Sequence, residues 1–334
     1  METLLATAAE PRLESETLDR FRRAIDSLVD ARARVGVAVS GGPDSVALLL
    51  MAAEARPGGI EAATVDHALR PESRAEAQMV AGLCERIGVP HAILTAEWSD
   101  RPATAVQERA RVMRYRLLAQ WAIERGLTAL LTAHHLDDQA ETLLMRLARG
   151  AGVRGLGGMR AVARVPGGKV ALVRPLLGWR RSELDAVCAA AGVEPVQDPS
   201  NEDRQFERVR IRQALADSDW LDPQALAASA ANLAQADAAL SWATTREWQA
   251  AVKVGDRSIA YRPADAPREI RRRIVRRAIL ALASEGTGAE PRGRELDQVL
   301  NTLLEGRRAT LRGVLCTGGP EWRFTKAPPR RSLQ

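Results

Sequence analysis

The sequence has little of what holds small secreted proteins together. Its 334 residues include three cysteines, Cys84, Cys188 and Cys316, odd in number and far apart. They make neither a disulfide framework nor a Cys-x-x-Cys metal or redox pair, so a reduced, cytoplasmic protein without structural zinc is expected. No apolar run reaches the ~18 residues that a membrane span needs, so no membrane partner is expected. The start of the chain lacks the basic-then-apolar layout of a signal peptide. The main glycine turn, Ser40-Gly41-Gly42-Pro43-Asp44-Ser45, holds no lysine. It therefore does not match Gly-x-x-x-x-Gly-Lys-[Ser/Thr], and the kinase and GTPase readings lose most of their support.

What is present is ordinary in bulk and uneven in detail. The chain is 46% apolar and 27% charged, as expected of a globular protein long enough for two domains. Its net charge is +6, yet Arg262 to Gln334 alone holds 16 Lys+Arg against 8 Asp+Glu. Five of those arginines fall within Arg271–Arg277, beside an apolar stripe of Ile270, Ile274, Val275 and Ile279. A solvated helix face accounts for such a run. The further basic residues Arg330 and Arg331 favour a contact to a nucleic-acid backbone through Arg271, Arg272 and Arg273.

Periodicity divides the chain into two regions. Apolar, β-branched runs at 35–39, 60–65, 89–95, 128–133 and 170–174 alternate with helical patterns at 43–55, 72–87, 103–125 and 136–148, after a first amphipathic helix over 16–31. Strands separated by helices of that length predict a doubly wound parallel α/β sheet. After the turn signals at 217–223 the pattern is helical (223–247, 267–284, 293–305). It closes on a hairpin with strands 309–317 and 321–325. The expected domains are 1–216 and a smaller, mainly helical 217–334 ending in that β-hairpin.

Three clusters fall at predicted strand ends, where doubly wound sheets bind ligands. The first is the glycine loop, a strand–turn–helix N-terminus suited to a phosphate. The second is Asp66-His67. The third is His134-His135-Leu136-Asp137-Asp138-Gln139-Ala140-Glu141, whose acids suit Mg²⁺ beside a triphosphate; capping needs only one of them. His134 and Asp138 would make a zinc pair, but no third soft ligand is nearby. Gly150-Ala151-Gly152-Val153-Arg154-Gly155 fits the dinucleotide pattern Gly-x-Gly-x-x-Gly. It follows a helix and not a strand, so a loop able to close over the site is the better account.

The Ser40–Ser45 string resembles the pyrophosphate loop of the N-type ATP pyrophosphatases, which split ATP to AMP and pyrophosphate while adenylating a substrate. The blocks Val65–Arg70, Arg109–Tyr115, Ala133–Thr142, Arg149–Leu156, Arg174–Leu177, Asp198–Asn201 and Arg208–Arg212 are similar, in order, to those of the tRNA(Ile)-lysidine synthetase family. The resemblance spans about residues 35–212 and departs from the family pattern at Val209, where Asn is common. It implies an adenine-nucleotide α-hydrolase-like fold. It also implies ligation of the ε-amine of free lysine to C2 of the wobble cytidine in the CAU anticodon of an isoleucine tRNA, through an adenylated intermediate, changing codon reading from AUG to AUA.

By that resemblance Ser40, Gly41, Gly42, Pro43, Asp44 and Ser45 hold the pyrophosphate, and Asp66 and His67 lie beside the adenosine. Asp44, Arg114, His134, Asp138 and Glu141 form the reaction centre. Asp44 and Asp138 hold Mg²⁺, with Asp138 and Glu141 candidates for the lysine ammonium or the metal, and Arg208 and Arg212 reach the activated cytidine or phosphates. ATP and Mg²⁺ are the implied cofactors, and tRNA(Ile) and L-lysine the implied partners; a homodimer is left open. The second domain is shorter than in longer members of the family. Two alternatives stand beside this one. A tRNA thiolase of the same superfamily needs a cysteine pair that the chain lacks, and a non-catalytic tRNA-binding module would not need the intact acids.

Overall fold

The computed structural model describes residues 13–69, 72–98, 106–166, 168, 170–196, 205–283 and 291–328. Arg70, the Asp198–Asn201 block and the basic pair Arg330-Arg331 lie outside the described residues. The chain divides into two compact units, residues 1–149 with 158–231, and 150–157 with 232–334.

In the first unit, β1 (Val35–Ala38), β2 (Ile60–Asp66), β3 (His91–Thr95), β4 (Ala129–Leu131), β5 (Val162–Arg164) and β6 (Ala171–Val173) form a six-stranded sheet. Its order is β3-β2-β1-β4-β6-β5, parallel except for β5, which pairs antiparallel with β6 at the edge. The central strands are short apolar runs with both faces covered, which explains why they alternate poorly with polar residues. One face carries α1 (Ser15–Asp26), α2 (Pro43–Ala55), α3 (Glu72–Arg86) and α7 (Arg181–Ala190), whose Phe21, Ile25, Val80, Leu83, Leu184 and Val187 pack with Val35, Val37 and Leu131. Held between the sheet, α1 and α7, helix α2 is apolar all round, and its residues from Ser45 to Ala52 are all buried. On the other face α4 (Val106–Glu124) presents Tyr115, Leu118 and Trp121 to Leu130 and Leu172. The close approach of α4 depends on Gly36, because a Cβ there would sit 2.6 Å from a Trp121 ring carbon. Helices α5 (Leu136–Ala148) and α8 (Glu207–Ala216) pack on each other.

The sheet also sets where a site can form. The chain runs outward through β1, β2 and β3, then returns across β1 to β4, so the order reverses between β1 and β4. The glycine loop follows β1 and the His134–Glu141 cluster follows β4, which puts both at this switch point.

The second unit contains α6 (Val153–Leu156), most of α9 (Pro223–Ala251), α10 (Arg268–Leu282) and α11 (Gly293–Leu304). The glycine run expected as a loop thus contains a helical turn, with the Gly157 backbone close against that of Ala234 in α9. The hairpin belongs to a five-stranded antiparallel sheet, β7 (Val252–Val254), β8 (Ser258–Tyr261), β11 (Trp322–Lys326), β10 (Val314–Thr317) and β9 (Arg308–Leu311), in that order. The expected strand 309–317 is itself two strands. Arg312 and Gly313 both take positive φ, 50° and 73°, and form a two-residue turn between them. Ile274, Val275, Ala278 and Ile279 of α10 pack with Leu296 and Leu300 of α11 and with Tyr261, Trp322 and Phe324 of the sheet.

The arginines of α10 are not gathered on a free face. Arg273 is enclosed between Asp237, 2.7 Å away, and Glu269, 2.8 Å away. Arg272 donates to Asp297 at 2.8 Å, and Arg271 donates to the Ala264 carbonyl at 3.0 Å. Arg272 and Arg273 thus hold the helix to its neighbours, while the buried Nε of Arg271 has no hydrogen-bond partner. Among the described residues no helix is long and apolar enough to cross a membrane.

Two outcomes follow for stability in urea. Gly36→Ala forces Trp121 to move and lowers stability by about 1–3 kcal/mol. Arg273→Met breaks the ion pairs to the buried Asp237 and to Glu269 and costs about 3–5 kcal/mol. The double variant Arg273→Met/Asp237→Leu recovers most of the second loss.

Candidate active site

The glycine loop is built for an anion. Gly41 turns the chain at φ 91°, a conformation that favours glycine, and Gly42 caps α2 with Pro43 in the first turn. Ser45 ties the loop down: its hydroxyl donates to the Gly42 carbonyl at 2.9 Å and accepts the Ser40 amide at 3.1 Å. The Ser40 hydroxyl lies 3.1 Å from that of Ser45. The Gly41 carbonyl accepts the Val196 amide at 2.9 Å, which braces the loop from outside. The amides of Gly41, Gly42 and Asp44 find no acceptor among the described residues. They stand at the positive end of α2, where an oxyanion is stabilised by N–H groups and helix dipole together.

Asp44 joins this loop to the β4–α5 cluster through a histidine. His135, 1% exposed, is the N-cap of α5. Its Nε2 lies 3.5 Å from Asp44 and 3.6 Å from Asp138, and its Nδ1 lies 3.5 Å from Asp137. Burial alone pushes this imidazole down, but the close carboxylates of Asp137, Asp44 and Asp138 outweigh it, and its pKa is raised to about 10. His135 is therefore a buried cation at neutral pH. It in turn holds Asp137 and Asp138 below the usual carboxylate range, against the opposing effect of their burial.

The next turn of α5 faces a second set of cations. Glu141, 1% exposed, accepts Arg212 Nε at 2.7 Å and lies 3.1 Å from Arg208 Nε. Asp138 accepts the His135 amide at 3.1 Å and lies 3.9 Å from Arg208 Nη1. The i, i+3 spacing of Asp138 and Glu141 puts both on the face that α8 covers, where Arg208 and Arg212 project four residues apart. Asp44, Asp138, Glu141, Arg208 and Arg212 thus share one site.

The remaining expected residues are placed differently. His134 precedes α5, which starts at Leu136, so it does not share a helix face with Asp138. Its Nδ1 lies 3.1 Å from the Thr132 hydroxyl. Burial, helped by the charges of Arg174, Arg111 and Arg208, pushes its pKa down to about 4 against the pull of Asp138, so it is neutral. Arg114 lies on α4 against Tyr115, its guanidinium 5.6 Å from the ring centre. Asp66 is 3% exposed and holds the turn after β2, accepting the Ala68 amide at 2.8 Å and the Ser73 hydroxyl at 2.6 Å. The carbonyl of His67 accepts the Trp98 indole N–H at 2.8 Å.

Of the two adjacent histidines, His134 is the one expected at the reaction centre, yet His135 occupies the middle of the charge cluster. The sequence signal for it was its position immediately before the helix, flanked by acids on the helix side. Among the described residues no three His, Cys, Asp or Glu side chains are arranged as a metal cage. An oxygen pair beside a phosphate fits Mg²⁺ better, because that ion binds through one or two carboxylates and keeps its waters. One Asp44 carboxylate oxygen, Oδ1, is buried with no hydrogen-bond partner, which suits it to such an ion.

Comparisons with known proteins show the family. A PP-loop domain family matches residues 13–218. The tRNA(Ile)-lysidine synthase of Novosphingobium aromaticivorans is 50% identical over 320 residues, 95% of this chain and 96% of that protein. The tRNA(Ile)-lysidine synthase of Zymomonas mobilis is 41% identical over 93% of this chain and 94% of its own. Among solved structures, the U34-tRNA thiolase NcsA of Methanococcus maripaludis, with its [4Fe-4S] cluster, superposes with a TM-score of 0.56 at 17% identity, covering 66% of this chain and 79% of that one. That likeness is one of fold. With relatives matching along nearly their whole length and the glycine loop and acidic helix meeting at the sheet's switch point, the chain belongs to the tRNA(Ile)-lysidine synthase family of PP-loop enzymes.

Proposed function

We propose that this enzyme joins free L-lysine to C2 of the wobble cytidine in the CAU anticodon of an isoleucine tRNA, using ATP and Mg²⁺. The observation that carries the proposal is the buried His135 that links Asp44 of the phosphate loop to Asp138 of α5. It makes the anion cradle and the carboxylates parts of a single site, as two successive reactions on one nucleotide require.

In the first reaction the cytidine O2 attacks the α-phosphorus of ATP, and the bond to the pyrophosphate oxygen breaks. The pyrophosphate stays on the amides of Gly41, Gly42 and Asp44 and the hydroxyl of Ser40, where helix dipole and N–H donors offset its charge. Asp44 and Asp138 would hold Mg²⁺ during this first reaction, and the ion would supply charge neutralisation to the phosphate oxygens. In the second reaction the ε-ammonium gives up a proton to solvent, the free amine attacks C2, the C2–O bond breaks and AMP leaves. Adenylation is what makes that oxygen a leaving group. Asp138, kept ionised by His135 and Arg208, receives the lysine ammonium; Glu141 serves chiefly to fix Arg208 and Arg212 against the substrate. Neutral His134 borders the site without adding charge, and Arg114 extends its cationic side. Asp66 and His67 form the wall beside the adenosine. Residues 1–216 then act as the catalytic part and 217–334 as the part that meets the tRNA, with exposed Arg294 and Arg308 better placed for a phosphate than the paired Arg272 and Arg273.

A tRNA thiolase fits these residues less well. Cys84, Cys188 and Cys316 are free and buried, and burial pushes their thiols up to about 12, 11 and 12, so none offers a thiolate at neutral pH.

Incubation with ATP, Mg²⁺, labelled lysine and a CAU-anticodon isoleucine tRNA gives labelled tRNA and one AMP per lysine. Absence of label under conditions where a known lysidine synthase works rejects the proposal. Asp44→Asn abolishes both tRNA-dependent AMP formation and lysine transfer. Asp138→Asn lowers tRNA-dependent AMP formation as well, raises the KM for lysine and lowers lysine transfer at least 100-fold. Glu141→Gln lowers lysine transfer by releasing Arg208 and Arg212. For His135, replacement by Gln leaves three neighbouring carboxylates uncompensated. That loss lowers stability in metal-free buffer by about 3 kcal/mol, read from urea unfolding.

A further inference from the structure

The proposed reaction brings three anionic groups to one site: the triphosphate, the phosphates of the RNA, and the α-carboxylate of the free amino acid. The glycine loop accounts for the first, and Arg208 and Arg212 are engaged by Glu141. Three other arginines have no such engagement. Arg111 and Arg114 stand at i and i+3 on α4, with guanidiniums 5.0 and 5.6 Å from the ring centre of Tyr115, which is 2% exposed. Arg174, at the end of β6, comes to the same tyrosine, close to its hydroxyl. Among the described residues none of the three forms an ion pair with a carboxylate.

Arg174 is the most telling of these. It is 8% exposed, donates through Nη1 to the Arg160 carbonyl at 2.7 Å, and leaves its buried Nε without a hydrogen-bond partner. Burying a cation beside two others of the same sign is unfavourable unless an anion joins them. Burial and the charge of Arg111 both push the Arg114 and Arg174 guanidiniums down, the direction expected of a site awaiting a counter-ion. The same cluster bears on His134, which also feels Asp138. The arginines therefore border the reaction centre and are not a remote surface patch.

We infer that Arg111, Arg114 and Arg174 form an oxyanion-binding site for a substrate of the reaction, with Tyr115 as its floor. The shared chemistry is a carboxylate or phosphate group held by the fork of guanidinium donors. Two sources fit, the α-carboxylate of free lysine and a phosphate of the nucleotide or RNA. The inference rests on the proposed lysine transfer, and its test keeps the two apart.

The test uses the full-length protein with Arg111→Met and Arg174→Met. Arg111 is exposed, so its replacement keeps the fold even if that of Arg174 does not. Steady-state KM values are measured for lysine, ATP and tRNA, together with inhibition by 1,5-diaminopentane, which is lysine without its carboxylate. If the site holds the carboxylate, the KM for lysine rises at least tenfold and inhibition by the diamine is unchanged. If it holds a phosphate, the KM for tRNA or ATP rises by that factor and the KM for lysine does not; for tRNA, the slope of log affinity against log salt also falls by about one. Either result supports the site and names its occupant. KM values all within twofold of wild type, in variants that unfold at the wild-type temperature, overturn it. Should the unaltered protein transfer no lysine, the functional proposal fails first. Direct tRNA and ATP binding by the same variants then decides the site, and unchanged affinities for both overturn it.

Discussion

A protonated imidazole shared by three carboxylates organises the catalytic end of this protein. His135 is buried, and a buried cation needs partners. Asp44 reaches it from the loop after β1, and Asp137 and Asp138 from the first turn of α5 after β4. Because β1 and β4 are hydrogen-bonded neighbours, the cation closes the gap between two loops that the sheet has already brought together. It balances acids that would otherwise repel each other beside a phosphate site. Asp137 also accepts the Arg181 amide at 2.8 Å, so the start of α7 is tied to the same point. Phosphate loop, acidic helix and one covering helix thus share an electrostatic anchor.

Around this anchor the site is arranged in layers of alternating sign. The amides of the glycine loop and the N-terminus of α2 form a positive floor. Asp44 and Asp138 follow, then Arg208 and Arg212 with Glu141 between them, and beyond His134 come Arg111, Arg114 and Arg174, which form no ion pair among the described residues. Such layering suits the proposed reaction, in which pyrophosphate leaves one side while an amine arrives from another. Each charge that enters or forms has an opposite charge already in place, and little reorganisation is needed at the moment of reaction. The fold makes this possible at the one place in the sheet where neighbouring loops diverge.

The second unit shows what a charge pattern leaves out. Five arginines in Arg271–Arg277 suggest a backbone contact, and a linear sequence does not display Asp237, Glu269 and Asp297 waiting for them. Arg273 is nearly enclosed by two of these acids, so its contribution is to fold stability. The strand pattern was also incomplete there. β7 and β8 are three and four residues long, too short for periodicity to register, and the turn at Arg312-Gly313 interrupts what reads as one strand.

By itself the sequence determined the alternation of strands and helices, the glycine turn at 40–45 and the acidic start of α5. Each of these depends on neighbours within a few residues, such as a Gly able to take φ 91° or an acid at a helix N-terminus. The ordered blocks were enough to place the chain in its family before any distance was known. Only the tertiary structure decided which of two adjacent histidines carries a charge. His134 and His135 have the same intrinsic pKa, yet three carboxylates gathered from two loops hold one protonated, while burial beside Arg111, Arg174 and Arg208 keeps the other neutral. Desolvation and long-range charge set that difference, and both exist only once the chain has folded.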